Sequence, residues 1–329
     1  MNNTISFYIK ATLNGHTDWV VSQAILDNGD LASGSLDFNI NIWDVNLGTL
    51  KKSLKGHADA VRSLAVYPNG DLISGSADTT IKIWDVNSGL VKKTLIGSFS
   101  NVFALAVLKN GYIAAGCIDR TIKIWDINSE TIVKTLVGHS GALRSLFVLP
   151  NGDLASGATD RTIKIWDVDS GTVKKNLTGH TESVNGLDVL LNGDLVSGAD
   201  DGSVLIWDLT TGFVKKNFTT GVNFIKAIAA LPDGTIANAF GSQIQIWDVD
   251  SESLKQTITG HSSNVLSIKV LNNESFASAS TDNKIKIWQL EIVLPNTQAS
   301  VGVSTTTTEP LFIEVTLQPP TYVNISKYF

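Results

Sequence analysis

Histidine, serine and aspartate recur together along this 329-residue chain, and those three residue types are the parts of a hydrolytic triad. A triad needs one exposed nucleophile, a base behind it and an oxyanion hole. Here the set returns five times, always with a tryptophan that reads as buried, and a fivefold copy points to structure rather than to a reaction. His16, His57, His139, His180 and His261 are also all the histidines in the chain, so none is left over as a base or for a mixed metal site. His16 and His57 stand 41 residues apart, as do His139 and His180, which puts them on separate units and not around one ion. The single cysteine, Cys117, leaves no internal disulfide and no cysteine zinc cluster. No glycine loop of the phosphate-cradling type occurs. The chain reads as a non-enzyme without catalytic residues, metal or cofactor.

What must position these residues is a repeat. Thr80-Ile81-Lys82-Ile83-Trp84-Asp85 returns unchanged at 121–126 and 162–167, and edited forms end in Trp43-Asp44, Trp207-Asp208, Trp247-Asp248 and Trp288-Gln289. These seven tryptophans follow one another at 41 residues, with one step of 40 between Trp207 and Trp247; only Trp19 falls outside the register. Self-similarity at a fixed pitch means supersecondary units that stack on their neighbours. In the second repeat, the apolar run 60–66, the turn Pro68-Asn69-Gly70-Asp71, the run 72–76, the run 79–84, the turn Asn87-Ser88-Gly89 and the run 91–95 read as four strands. Asn-Gly is the strongest short hairpin signal, because both positions tolerate positive φ. Four antiparallel strands per unit, seven units in a ring, predict an all-β seven-bladed propeller.

The ends explain how such a ring closes. Eleven residues after each of six tryptophans stands Leu54, Leu95, Leu136, Leu177, Phe218 or Ile258; in the seventh repeat that slot is Ala299, in a polar run unfit for an outer strand. Lys10-Ala11-Thr12-Leu13 supplies the missing strand from the other terminus, which removes an exposed edge. The propeller is thus expected over residues 1–291. Residues 292–329, with Ser304-Thr305-Thr306-Thr307-Thr308, read as a loosely attached tail in which 311–317 has strand character.

Gly-His opens five repeats, at Gly15-His16, Gly56-His57, Gly138-His139, Gly179-His180 and Gly260-His261, and Trp-Asp or Trp-Gln closes the third strand 27 residues after each histidine. This resembles the WD-repeat family over roughly residues 10–290. The resemblance implies a hydrogen-bonded tetrad in each full repeat: His16, Ser33, Asp37 and Trp43; His57, Ser74, Asp78 and Trp84; His139, Ser156, Asp160 and Trp166; His180, Ser197, Asp201 and Trp207; His261, Ser278, Asp282 and Trp288. Two repeats depart from it. The third has Ser98 and Ala115 for the histidine and serine, and the sixth has Thr220-Gly221 for Gly-His and Gly241 for the aspartate.

Where the repeats disagree, partners can be read. Three slots vary around otherwise constant frames: Trp19, Ala60, Asn101, Ala142, Ser183, Phe224 and Asn264; Val21, Arg62, Phe103, Arg144, Asn185, Lys226 and Leu266; and Leu36, Ala77, Ile118, Thr159, Asp200, Phe240 and Thr281. The resemblance places these slots on the top face around the channel, where partners of the family commonly bind. Arg62, Arg144 and Lys226 are expected to present three cations there, with an apolar half from Trp19, Val21, Phe224, Phe240 and Leu266; Asp200, close to Asn185, sets a negative charge against it. The expected function is a non-catalytic scaffold or adaptor for proteins or peptides, a single ring within a larger assembly. The alternative is a substrate-reading module of a ubiquitin-ligase-type complex that recognises acidic or phosphorylated peptides or ubiquitin, and the remote one is a propeller hydrolase. A formal charge of −6 disfavours nucleic acid. No apolar run is long enough to insert in a membrane, and the N-terminus lacks the basic and apolar regions of a signal peptide, so an intracellular place in cytoplasm or nucleus is expected.

Overall fold

The computed structural model describes residues 4–97 and 100–293. They form seven four-stranded antiparallel sheets, six of them from consecutive strands. In the first blade the inner strand is Val20–Ile25, the second Leu31–Ser35, the third Ile40–Asp44 and the outer Thr49–Leu54. Blades two to six repeat this at 61–96, 102–137, 143–178, 184–219 and 225–259. The seventh has Val265–Asn272, Ser275–Ser280 and Lys284–Val293, and its outer strand is Thr4–Asn14, so the N-terminus closes the ring.

Sequence and burial agree strand by strand. Second strands such as Leu-Ile-Ser-Gly-Ser are buried along their whole length because a neighbouring blade covers each face, so they show no alternation. Outer strands are largely open to water and bury one apolar anchor. That anchor pairs across to the third strand in one register throughout: Leu54 with Ile40, Leu95 with Ile81, Leu136 with Ile122, Leu177 with Ile163, Phe218 with Val204 and Ile258 with Ile244. Leu13 takes the same place opposite Ile285. The glycine of the second strand allows blades to approach: a Cβ on Gly75 would stand 2.5 Å from Val102 Cγ1, in the next blade.

Of the two positions of Asn-Gly that tolerate positive φ, the hairpins use only the glycine. In the first blade Gly29 N–H donates to Leu26 O and Leu26 N–H to Asp30 O, and only Gly29 has positive φ, at 83°. This is a three-residue loop with a glycine bulge, and Asn28 serves by accepting Asp30 N–H at its side chain. The closing strand also runs further than Lys10. Its register shifts at Ile9/Ala11 and continues to Thr4 opposite Val293.

Paired lysines on the outer strands fasten the ring. The first of each pair reaches the hairpin aspartate of its own blade, as Lys92 does Asp71 at 2.6 Å. The second crosses to carbonyls in the turn of the next blade. Lys52 reaches Val86, Lys93 Ile127, Lys175 Leu209 and Lys216 Val249, and in blade three, where Val133 stands in place of the first lysine, Lys134 reaches Val168, all at 2.6–3.2 Å. Between blades six and seven Gln256 Oε1 accepts Phe7 N–H instead, at 3.1 Å. The expected tail lies outside the described residues beyond Val293.

Candidate partner-binding face

The tetrads come first, because they hold the loops that carry the variable slots. In the second blade Trp84 Nε1–H donates to Ser74 Oγ at 2.8 Å, Ser74 Oγ stands 2.6 Å from His57 Nε2, and His57 Nδ1 stands 2.7 Å from Asp78. A carboxylate only accepts, so Nδ1 carries a proton that it donates to Asp78, and in that tautomer Nε2 accepts from the serine. Asp78 also accepts Ala58 N–H and Thr80 N–H, which ties the loop entering the blade to the turn between its second and third strands. The same histidine, serine, aspartate and tryptophan meet in blades one, four, five and seven.

Each network stands 6 to 8% exposed at its histidine, and it is sealed from solvent rather than opened to a substrate. Burial alone would raise Asp37; its hydrogen bonds from His16 and Thr17 N–H prevail and bring it from 3.8 to about 2. Asp78, Asp160, Asp201 and Asp282 are lowered by the same balance. His139 and His261 lie below the ordinary 6.5 because burial disfavours the imidazolium more than Asp160 or Asp282 favours it. The unfolded chain therefore binds protons more readily at these groups. Stability should decline as pH falls below 6.5, through the two histidines, and more steeply below 3.8 as the carboxylates are protonated in the unfolded chain, down to about 2. A melting temperature constant from pH 7 to pH 3 would contradict this. Asp78→Ala strands the His57, Ala58 and Thr80 donors and should cost about 2 kcal/mol in a denaturant titration; a loss below about 0.5 kcal/mol would show the tetrad to be dispensable.

The two deviant blades use other chemistry. In the third, Ala115 leaves the indole N–H of Trp125 buried without a partner among the described residues. Asp119, in the tetrad position, instead takes the ammonium of Lys123 at 2.5 Å; Ser98 lies outside the described residues. In the sixth, Gln245 Oε1 accepts Trp247 Nε1–H at 3.3 Å and Asn238 Nδ2–H at 3.4 Å. Cys117 is buried, and its thiol is pushed up to about 12 by that burial, so it is an inert filler.

The variable slots converge on the face made by the loops between blades and the turns between second and third strands, termed here the upper face. Residues three after the histidine position and one before the aspartate position join by a backbone bond: Leu36 N–H to Trp19 O, Ala77 to Ala60, Ile118 to Asn101, Thr159 to Ala142, Asp200 to Ser183 and Thr281 to Asn264. The sixth blade differs, for Phe224 N–H reaches back to Asp200 O and Phe224 has a φ of 64°, while Phe240 is half-buried. The second slot has a structural cause that the sequence does not spell. Every inner strand carries a register shift at one residue: Val21, Arg62, Phe103, Arg144, Asn185, Lys226 and Leu266. A bulge takes one residue out of the ladder and re-aims its side chain. Because inner strands pack side by side around the closed ring, seven bulges make a ring of seven side chains.

Within this ring the charges are unequal. Arg62 and Arg144 both stack on Phe103, with the guanidinium carbons 5.1 and 4.9 Å from the ring centre. Among the described residues neither has a carboxylate within ion-pair distance. Lys226 corrects the expectation of three available cations: it is bound to Asp200 at 2.6 Å and lies over Phe224. Asn185 also donates to Asp200, at 2.7 Å. The positive sector is therefore blades two to four. Trp19 and Phe224 are exposed, whereas Val21 and Leu266 are half-buried.

No helix among the described residues is long and apolar enough to cross a membrane, and no cluster of three potential metal ligands occurs among them. The family model for the WD domain, G-beta repeat, matches residues 7–44, 48–85, 89–126, 130–167, 171–208 and 252–289, and passes over the sixth blade. Those six matches cover well over half of the chain, and with the tetrads and the closed ring they make this chain a member of the WD-repeat family.

Proposed function

We propose that the protein is a non-catalytic interaction scaffold that binds protein partners on its upper face. The family's propellers commonly serve as interaction scaffolds. One observation carries the reading: seven bulges aim one side chain per blade into a ring, and that ring holds an Arg62–Phe103–Arg144 stack without a paired carboxylate among the described residues, beside exposed Trp19 and Phe224. Large aromatics and arginines on a rigid frame are the composition of binding hot spots. The serine hydroxyls that a hydrolase would need are locked beneath tryptophan, each at 0% exposure.

A second reading is favoured by the same stack. Two guanidiniums held close, with no carboxylate at ion-pair distance among the described residues, suit a carboxylate or phosphate on an extended peptide, since the planar fork grips either with two bonds. A substrate-reading subunit within a larger assembly, including a ubiquitin-ligase type, would use the face in this way. Purification of tagged protein from cells, wild type against Arg62→Glu with Arg144→Glu, is the test. Partners retained by both forms would place the binding surface elsewhere.

A further inference from the structure

All four arginines of the chain, Arg62, Arg120, Arg144 and Arg161, lie on this upper face and within blades two to four; every other cation in the chain is a lysine or a histidine. Arg62 and Arg144 are bulge residues, while Arg120 and Arg161 close the turn between second and third strands. Six blades build that turn identically. Phe38, Thr79, Arg120, Arg161, Gly202 and Asn283 each donate their N–H to the carbonyl three residues back, at 3.1–3.3 Å. All six have φ between 65° and 79°, the left-handed region where Gly202 is at ease and side chains are strained. Phenylalanine and arginine at such a place persist against local preference, and strain of this kind gathers at functional surfaces.

Read blade by blade, the three loop slots change character in order. Blade one offers Trp19, Leu36 and Phe38, with Trp19 47% and Phe38 44% exposed. Blade two offers only Ala60, Ala77 and Thr79, a low saddle whose carboxylate, Asp59, is engaged by the N–H of Ala60. Blades three and four offer Arg120 and Arg161 at the rim, and the stack of Arg62, Phe103 and Arg144 runs inside from blade two to blade four.

We propose that the upper face reads one peptide segment in a fixed register: a large apolar side chain on the Trp19–Leu36–Phe38 platform, main chain across the small-residue saddle of blade two, and acidic side chains on the arginines of blades three and four. This rests on the upper-face reading above and adds the chemistry and spacing of the occupant. Sheets pack about 10 Å apart, so Arg120 and Arg161 lie about 20 and 30 Å around from blade one; at about 3.4 Å per residue of extended chain, the acidic groups fall roughly six to nine positions from the apolar anchor. Complementary charge favours a carboxylate-rich occupant on a sector that holds every arginine.

A display library of random twelve-residue peptides, panned on the full chain, tests the register. Enriched sequences should pair Leu, Phe or Trp with Asp or Glu about six to nine positions away. A synthetic peptide of that sequence should bind at least tenfold more weakly to Phe38→Gly and to Arg120→Gln with Arg161→Gln. Phe38→Gly should melt no lower than wild type, since glycine relieves the left-handed residue, so weaker binding cannot be laid to misfolding. No enrichment on the wild type, or enriched peptides without this spacing, would overturn the register. Peptides lost to Arg62→Glu with Arg144→Glu but kept by Phe38→Gly would overturn it and leave upper-face binding standing. Peptides kept by every variant would overturn both.

Discussion

Deleting residues 1–14 should abolish the cooperative melt of the ring near its normal temperature. The closing strand supplies the whole outer edge of blade seven, paired from Thr4 opposite Val293 to Asn14 opposite Lys284. Leu13 is fully buried in the register that Leu54 and Leu95 fill elsewhere, and Phe7 meets Phe276 edge-on at 5.1 Å. Phe7 N–H also binds Gln256 of the sixth blade, and Lys286 donates to Thr12, so one N-terminal strand joins blades six and seven. Burial of Leu13 is worth about 2–3 kcal/mol, half-buried Phe7 adds less, and the exposed third strand would lose its ladder besides. The total approaches the 5–15 kcal/mol that holds a typical domain together. Scanning calorimetry of the truncated chain would contradict the closure if it melted within about 3 °C of the full chain, an interval of roughly 1 kcal/mol at this size.

Much of this was legible because propeller blades are local. A hairpin is set by residues a few positions apart, so the pitch of tryptophans, the outer-strand anchor at Leu13 and the tetrads could be read along the chain. What was not legible depends on contacts between blades. The pairing of Lys226 with Asp200 spans 26 residues and two blades, and nothing near either residue announces it. The lysines that fasten each blade to the next did leave a signal, the repeated Lys-Lys of the outer strands, but their carbonyl partners lie 33 to 35 residues on. Phe38, Arg120 and Arg161 escaped notice because their interest lies in backbone conformation. The clue was available in the same slot, where Gly202 and Asn283 mark a left-handed position. Variation picked out the ring from Val21 to Leu266; only the register shifts explain why those seven point the same way.

Charge reversal at the arginine stack has the largest expected effect on function. Burial disfavours the charged form of Arg62, Asp59 partly offsets this, and the Arg144 cation adds to the cost. An anion placed between the two guanidiniums would relieve that repulsion, whereas Arg62→Glu with Arg144→Glu would repel it from both sides. Arg144 is exposed and Arg62 half-buried, and neither belongs to the tetrads or buried anchors that hold the ring, so the fold should melt within about 2 °C of wild type. The most direct measurement is calorimetric titration of the most strongly retained cellular partner into wild type and this double variant, at low and high salt. The expected result is a loss of at least a hundredfold in affinity, roughly 2.7 kcal/mol, with a wild-type affinity that weakens as salt is raised and a residual variant affinity that does not. Equal affinities for the two proteins, with equal salt dependence, would contradict the assignment of the upper face as the binding site.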